Sequence, residues 1–582
     1  MYYQKQYIQN KIVRGMRNMG KSTEITIKEV IKQGKRRNRT INTNLIEKAY
    51  MYAADKHKEQ FRKSGEPYII HPIHVAYIVA DLGLDTETIC AALLHDVVED
   101  TETTYEDIEM LFNKEIAQIV EGVTKLSQLF KSAEEKQAEN YKKMFVAMEK
   151  DIRVILLKLA DRLHNISTLE FLKRDRQIAI SKETVEFYAP IAHKLGMYDM
   201  KMKLQDGAFR FLYPEEFSNI QQELDAKIEE KRILLEKTKH RLEKEFRKQR
   251  IPVIISVETK HMYNIYQKMI KKNITMDQIH DLFALKILTK DKRQCYKILG
   301  ILNTIYKVMP GTFKDYITTP RNNMYQAIHE IVLGEKGVVF EAQICSYDMN
   351  RIASYGITNY FYYIKKMKHV ENESVHFQET LSGIHDSLEL QQMTEDPADF
   401  LNALKAELLD EEIYIFTPRG DVKVLPRGAC AIDFAYSIHA EIGEHIQSCK
   451  INSIEMPITQ KLENGNIVEI MTAECVCTPQ EEWLSIVKTA KARSKILKLL
   501  KEQKTETKKD SHIQIIAQKE GTILFTIVNL FADYQLNMTT LTTQLQDDII
   551  IIDIELEMSD KEKLEKIKKE LLRVEFIKEI KI

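Results

Sequence analysis

The chain has 582 residues, 85 Lys and Arg against 86 Asp and Glu, and seven cysteines. That length predicts three to five domains rather than one core, and the balanced charge argues against a bulk polycation, so any nucleic-acid contact must be local. Cys90, Cys295, Cys345, Cys430, Cys449, Cys475 and Cys477 offer no pairing framework and no Cys-x-x-Cys, which favours a reducing, cytoplasmic setting over a disulfide scaffold or zinc ribbon. No apolar run approaches the roughly 18 residues of a membrane span, so no membrane partner is expected.

Residues 1–44 read as a basic arm. The first 40 positions hold eleven Lys and Arg against two Glu, a net of +9. A solvated arm is the plain expectation, and an RNA or ribosome contact the functional one. From residue 45 to 212 the periodicity is helical, with apolar positions recurring every three or four residues in 73–82, 89–98, 116–126 and 152–163. No stretch alternates as a strand would.

Within this helical domain, Ala91-Ala92-Leu93-Leu94 leads into His95-Asp96 and then Glu99-Asp100. Read as a helix, His95/Glu99 and Asp96/Asp100 are i,i+4 neighbours. Acidic groups crowded at the end of an apolar helix call for a positive partner, and a divalent metal supplies it. Imidazole with carboxylate suits manganese, iron or zinc better than calcium. His71 upstream, before Pro72, and Asp161 downstream complete a His…His-Asp…Asp pattern of the HD phosphohydrolase type. Arg62 and Lys63, with Gly65 and Pro67, form a cationic loop ahead of His71, suited to a phosphate-bearing ligand.

The runs RKSGEPYIIHPIHVA, AALLHDVVEDT, VEGVTKLSQL, QAENYKKM, DIRVILLKLADRLHN and YAPIAHKLGM resemble the hydrolase domain of the long RelA/SpoT family, whose members make and degrade (p)ppGpp. The resemblance covers most of residues 45–205. It implies an all-α HD-type domain in which His71, His95, Asp96 and Asp161 hold Mn2+. Glu99 and Asp100 would position and deprotonate the attacking water. Arg62 and Lys63 would face guanine and phosphates, and Asn165 and Thr168 would hold the nucleotide. The implied reaction removes the 3′-pyrophosphate of ppGpp, returning GDP and pyrophosphate, or GTP from pppGpp.

Residues 213–239 read as a charged helical connector. Beyond it, strands at 253–257, 283–288, 328–333 and 338–343 interleave with helices such as 295–308, an α+β domain over 240–365. It resembles the nucleotidyltransferase-like synthetase domain of the same family. The resemblance implies Asp281 as a Mg2+ ligand, Glu341 near the attacking hydroxyl and Tyr325 stacking on guanine; Lys314, Asn323 and Gln326 also stand in family positions. Departures are concentrated in the cations. Glu258 replaces an ATP-phosphate arginine, Thr312 and Cys345 replace two others, and Lys286 replaces a fourth; the family's Ala-Ala-His-Trp ending appears as Thr358-Asn359-Tyr360-Phe361. Transfer between nucleotides rests on charge neutralisation, so the expectation is a degenerate, inactive synthetase site. The alternatives are a bifunctional enzyme making (p)ppGpp from ATP and GDP or GTP, and a non-catalytic regulator binding tRNA, ribosome or effector.

A helical linker is expected over 366–410. Residues 411–473 resemble a β-grasp TGS domain, with a Pro418-x-Gly420-Asp421 hairpin turn and with His439 matching a residue implicated in contact with the tRNA end. Residues 474–511 form a linker carrying a basic amphipathic helix, 483–503. The segment 512–582 reads β-α-β-β-α-β, with strands at 512–517, 535–544, 547–556 and 575–581 and helices at 521–533 and 560–572. That order is ferredoxin-like and resembles an ACT domain, a module that implies pairing into a homo-oligomer. The zinc-type module usual between TGS and ACT has no counterpart in length or Cys/His content.

Overall fold

The computed structural model describes residues 25–129, 150–359 except 322, 412–473 and 479–581, apart from 507–510, 521, 534–537, 547, 557–566 and 575. The helical linker expected at 366–410, most of the helix expected at 560–572 and the first 24 residues of the expected basic arm lie outside the described residues. The chain falls into two compact units, residues 1–427 with 463–467, and residues 428–462 with 468–582.

The first unit opens with α1 (Ile27–Arg37), α2 (Thr43–Lys56), α3 (Ile70–Asp81), α4 (Thr86–Leu94), α5 (Val97–Asp100), α6 (Tyr105–Leu111), α7 (Lys114–Leu129) and α8 (Arg153–Ser167). Their apolar stripes meet in one core that includes Ile46, Val75, Val79, Leu93, Leu94, Val120, Ile155 and Leu159. Two expectations need correction. Residues 27–37, assigned to the arm by charge, are folded: Val30 is fully buried, and Arg37 pairs with Asp81 at 3.1 Å. The net charge concealed an apolar face at helical spacing. The stretch 91–100 is also not one helix. It breaks at His95-Asp96, although the Asp100 amide still donates to the Asp96 carbonyl at 2.9 Å.

Helices α9 (Arg174–Glu183), α10 (Ala189–Lys194), α11 (Tyr198–Leu212) and the 35-residue α12 (Pro214–Lys248) follow. Next come β1 (Ile254–Thr259), α13 (Met262–Lys272), β2 (Phe283–Thr289), α14 (Lys292–Ile305), β3 (Lys307–Val308), β4 (Lys314–Asp315), β5 (Ile328–Leu333), β6 (Val339–Ser346) and α15 (Tyr347–Tyr355). The sheet order is β1-β2-β6-β5-β3, with β4 on β5. Only β2 and β6 run parallel. The helical part and the sheet part share residues across their cores. Ile357, following α15, is buried in the helical core, whereas Phe209 of α11 belongs to the core of the sheet part. Gly196 and Gly356 meet there at positive φ; a Cβ on Gly356 would lie 2.2 Å from the Leu195 carbonyl oxygen. The hairpin β7 (Glu412–Phe416) and β8 (Val422–Pro426) closes this unit.

In the second unit, α16 (Ala431–Ile438) and α17 (Ala440–Glu444) precede β9 (Ile446–Ile451), β10 (Ile454–Met456) and β11 (Val468–Thr472), ordered β10-β9-β11. The basic helix expected at 483–503 is two helices, α18 (Trp483–Ile486) and α19 (Ala490–Glu506). The break has a physical cause. Asp433, fully buried on α16, accepts from the backbone amides of Lys488 at 3.0 Å and Thr489 at 2.8 Å, capping α19. Finally β12 (Ser511–Gln518), α20 (Ile523–Asp533), β13 (Met538–Gln546), β14 (Ile549–Leu556) and β15 (Ile577–Lys581) form an antiparallel sheet ordered β13-β14-β12-β15. That is the strand order of a ferredoxin-like unit.

Candidate active site

His71, on the first turn of α3, His95 after α4, Asp96 before α5 and Asp161 on α8 converge although 90 residues separate the first from the last in sequence. His71 Nε2 lies 3.4 Å from Asp96 Oδ2 and 3.3 Å from Asp161 Oδ1. His95 Nε2 lies 3.2 Å from Asp96 Oδ1 and 4.0 Å from Asp161 Oδ1. Ligand atoms of His71, His95 and Asp161 all fall within 4.8 Å of one another. Apolar helical frames hold these polar groups in the interior, where only pairing or a cation makes them tolerable.

The proton arrangement suits a metal. His95 Nδ1 lies 2.9 Å from the Ala92 carbonyl, so Nδ1 carries the hydrogen and Nε2 presents its lone pair. That Nε2 is buried without a hydrogen-bond partner, 3.2 Å from Asp96 Oδ1. His71 Nδ1 lies 2.7 Å from His164 Nδ1. Burial holds both imidazoles below their usual pKa, against the pull of Asp161 and Asp96 on His71. A neutral His164 accepts at Nδ1, which leaves His71 Nε2 free to ligate. Lys158 donates to Asp161 Oδ2 at 2.8 Å. Burial opposes ionisation of Asp161, but the Lys158 ammonium together with His71 and His95 outweighs it and holds the carboxyl well below the usual range. Asp161 Oδ1 also accepts from Asn165 Nδ2 at 2.6 Å. The donor set of two imidazoles and two carboxylates therefore fits a divalent transition ion.

Glu99 and Asp100 sit on α5 beside this cluster. Asp100 Oδ2 accepts from the Tyr68 hydroxyl at 2.7 Å, and Asp96 Oδ2 lies 3.0 Å from the same hydroxyl. Burial, then the charge of Asp96, raises the Tyr68 phenol, which stays protonated as a donor. Arg62 reaches across from its loop. Its Nη2 donates to Asn165 Oδ1 at 3.2 Å, and its Nη1 lies 3.3 Å from His164 Nδ1 and 3.4 Å from Thr168 Oγ1. Arg62, Asn165 and Thr168 thus meet, and Lys63 follows in the turn closed by the Gly65 amide on the Arg62 carbonyl at 2.9 Å. Residue-type reasoning gave no role to Tyr68, Lys158 or His164. Lys158 had a signal, being the one charge within the apolar run 154–160, three residues before Asp161.

The sheet part gathers a second constellation. Asp281 pairs with Lys268 at 2.5 Å and with Lys260. Burial would raise its carboxyl, but Lys260 and then Lys268 lower it to about 2. Glu341 on β6 lies 3.0 Å from His329 Nδ1, and His329 Nε2 lies 2.8 Å from the Tyr325 hydroxyl. Asn323 Oδ1 accepts from the Tyr325 amide at 3.3 Å, and its Nδ2 lies 3.1 Å from His193 Nδ1 of α10. Lys314 lies opposite His329 in the β4–β5 ladder, and Gln326 follows Tyr325 on the chain. Glu258 and Lys286, two of the sequence departures, pair with each other at 3.7 Å. In the second unit, His439 is exposed and its Nδ1 caps α17, accepting from the Glu441 amide at 3.3 Å.

Comparison with known proteins matches three family models in the same order: an HD domain over residues 49–198, the region found in RelA / SpoT proteins over 258–369, and a TGS domain over 413–472. Curated relatives match about four fifths of the chain. The guanosine-3′,5′-bis(diphosphate) 3′-pyrophosphohydrolase of Aquifex aeolicus is 42% identical over 79% of this chain and 65% of its own length. The GTP pyrophosphokinase of Myxococcus xanthus is 40% identical over 80% of this chain and 61% of its own. The bifunctional (p)ppGpp synthase/hydrolase SpoT of Escherichia coli K12 is 40% identical over 79% and 65%. The chain thus carries, in order, an HD domain, the region found in RelA / SpoT proteins and a TGS domain, and is similar over most of its length to RelA/SpoT-type proteins. Its matched region spans about 61–65% of these relatives' length. The HD match includes the helical cluster, and the RelA / SpoT match includes the Asp281–Glu341 group on the sheet. Among the described residues, no helix is long and apolar enough to cross a membrane.

Proposed function

We propose that the helical site is a (p)ppGpp 3′-pyrophosphohydrolase that uses Mn2+. The observation that carries this is the convergence of His71, His95, Asp96 and Asp161 with the lone pairs of both imidazoles left for a metal. These four residues would hold the ion, which supplies Lewis acidity and an acidified water. Asp100, with Glu99 beside it, would serve as the base that accepts a proton from the water attacking the 3′-pyrophosphoryl group. Arg62 and Lys63 neutralise the nucleotide's phosphates and cover its base; Asn165 and Thr168 hold its sugar. The bond to the ribose 3′-oxygen breaks, and GDP and pyrophosphate leave, or GTP and pyrophosphate from pppGpp.

The sheet part we assign to a synthetase domain that has lost synthesis. The Glu258–Lys286 pair supports this, because a carboxylate stands where the family presents an ATP-phosphate arginine and it also pairs with the cation of Lys286. Bifunctional activity with Mg2+ on Asp281 is the second reading. It is favoured by the intact Tyr325–His329–Glu341 chain and by relatives named for synthesis. We also assign residues 411–473 to a TGS module contacting tRNA or ribosome through His439, and residues 512–582 to an ACT module that pairs two copies. The buried free cysteines Cys90, Cys295, Cys345, Cys430 and Cys449 suit the cytoplasm. Two incubations test the reading: labelled ppGpp with Mn2+, and ATP plus GTP with Mg2+. GDP and pyrophosphate from the first and nothing from the second is the expected result. Asp96→Asn should abolish the first. ppGpp formed in the second tube at a comparable rate would establish the bifunctional reading instead.

A further inference from the structure

Tyr68 bridges the carboxylates of Asp96 and Asp100. Its hydroxyl is 2.7 Å from Asp100 Oδ2 and 3.0 Å from Asp96 Oδ2, so one proton is shared between an expected metal ligand and an expected base. Those two residues are one helical turn apart, joined by the Asp100 amide to Asp96 carbonyl bond at 2.9 Å. The tyrosine is itself fixed. His57, at the end of α2, stacks on its ring with centroids 4.8 Å apart and planes 27° apart. His57 Nδ1 lies 2.7 Å from the Gln60 amide oxygen, and Gln60 Nε2 donates to the Asp100 carbonyl at 2.8 Å. The Tyr68 amide donates to the Gln60 carbonyl at 3.0 Å. His57, Gln60 and Tyr68 thus close a loop that ends on both the side chain and the backbone of Asp100.

We infer that Tyr68 is a positioning residue for the hydrolase site, which sets the separation between the metal ligand Asp96 and the water-activating Asp100. This rests on the metal-site reading above. A hydroxyl donating to a ligating carboxylate orients it, and such outer partners typically matter about 10–100-fold in metal affinity or activity. A carboxylate free to rotate reaches its attack geometry less often, which lowers turnover rather than substrate binding. The ring of phenylalanine preserves the stack on His57 and removes only the hydroxyl that donates to the two carboxylates.

The test is Tyr68→Phe in the full chain, read three ways. Mn2+ binding is measured by calorimetry on metal-free protein, ppGpp hydrolysis gives kcat and KM, and thermal melting reports folding. The expected result is Mn2+ affinity weakened several-fold and kcat lowered about 10–100-fold. KM for ppGpp should stay within about twofold and the melting temperature near that of the parent. Unchanged Mn2+ affinity and kcat overturn the role of Tyr68 while leaving the hydrolase reading intact. A proportional loss of melting temperature, Mn2+ binding and activity overturns it in favour of a merely structural side chain. If the parent protein does not hydrolyse ppGpp, the functional reading fails and calorimetry alone decides. Weakened Mn2+ binding in Tyr68→Phe then supports the inference, and equal binding removes it.

Discussion

Replacing Lys158 by Met isolates one electrostatic term of the site. Methionine keeps most of the length and apolar contact of the lysine stem and deletes the ammonium that donates to Asp161 at 2.8 Å. Both residues are buried, Lys158 at 8% and Asp161 at 4% exposure. Removing one partner of such a pair leaves an uncompensated interior charge, costing about 3–5 kcal/mol. For a domain of this size, 1 kcal/mol moves the melting temperature by about 2–4 °C, so a fall of roughly 6–20 °C is expected in EDTA. A divalent cation among His71, His95, Asp96 and Asp161 restores positive charge beside the same carboxylate. Saturating Mn2+ should therefore raise the melting temperature of Lys158→Met more than that of the parent. The assay is a melt by circular dichroism of both proteins, with EDTA and with Mn2+. A variant melting within about 2 °C of the parent in EDTA would show that the pair does not stabilise the fold. An equal Mn2+ increment in both proteins would refute the argument that cation and lysine serve one carboxylate.

Other outcomes follow from the same reasoning. Asp281 has its folded pKa lowered to about 2 from 3.8, chiefly by Lys260 against burial; its pairing adds about 2 kcal/mol, full above pH ~4 and fading as the pH falls toward 2. Asp281→Asn should melt below the parent at pH 7, with the gap closing over that acid window in a pH series of melts. Asp433→Ala strips the acceptor from the amides of Cys430, Lys488 and Thr489 and from the Thr489 hydroxyl. A loss of about 3–5 kcal/mol is expected, read by fluorescence of Trp483, the single tryptophan, which is buried in the same core. Gly356→Ala forces a Cβ against the Leu195 carbonyl at a positive φ. It should cost roughly 2–5 kcal/mol, and a melting temperature equal to the parent's would mean the two backbones separate without cost.

Much of the candidate site could be read from the chain because its residues combine a rare chemistry with a strong frame. His95-Asp96 interrupts an apolar run, and apolar periodicity locates the helices that carry His71 and Asp161. The supporting groups were less visible. His164 and Tyr68 are ordinary residue types whose significance lies in distances to residues far away in sequence, His71 at 2.7 Å and Asp100 at 2.7 Å. Periodicity also smooths over breaks. The turn at His95-Asp96 and the break at 487–489 both occur where a side chain captures backbone amides or must point elsewhere, information that local propensity does not hold. Charge misled at the N-terminus, since residues 27–37 are basic in sum yet bury Val30.

The exchange of Ile357 and Phe209 between the two cores of the first unit bears on how this chain can be dissected. Sequence places a natural cut near residue 212, yet a fragment ending there would leave a hole where Ile357 fills the helical core and would carry Phe209 away from the partners it packs with in the sheet part. The two parts are interlocked pieces rather than beads on a string. Activity measured on an isolated helical fragment would therefore describe a different, looser molecule. Insertions and fusions belong instead at the hairpin turn Pro418–Asp421, where the chain is exposed and neither core is touched.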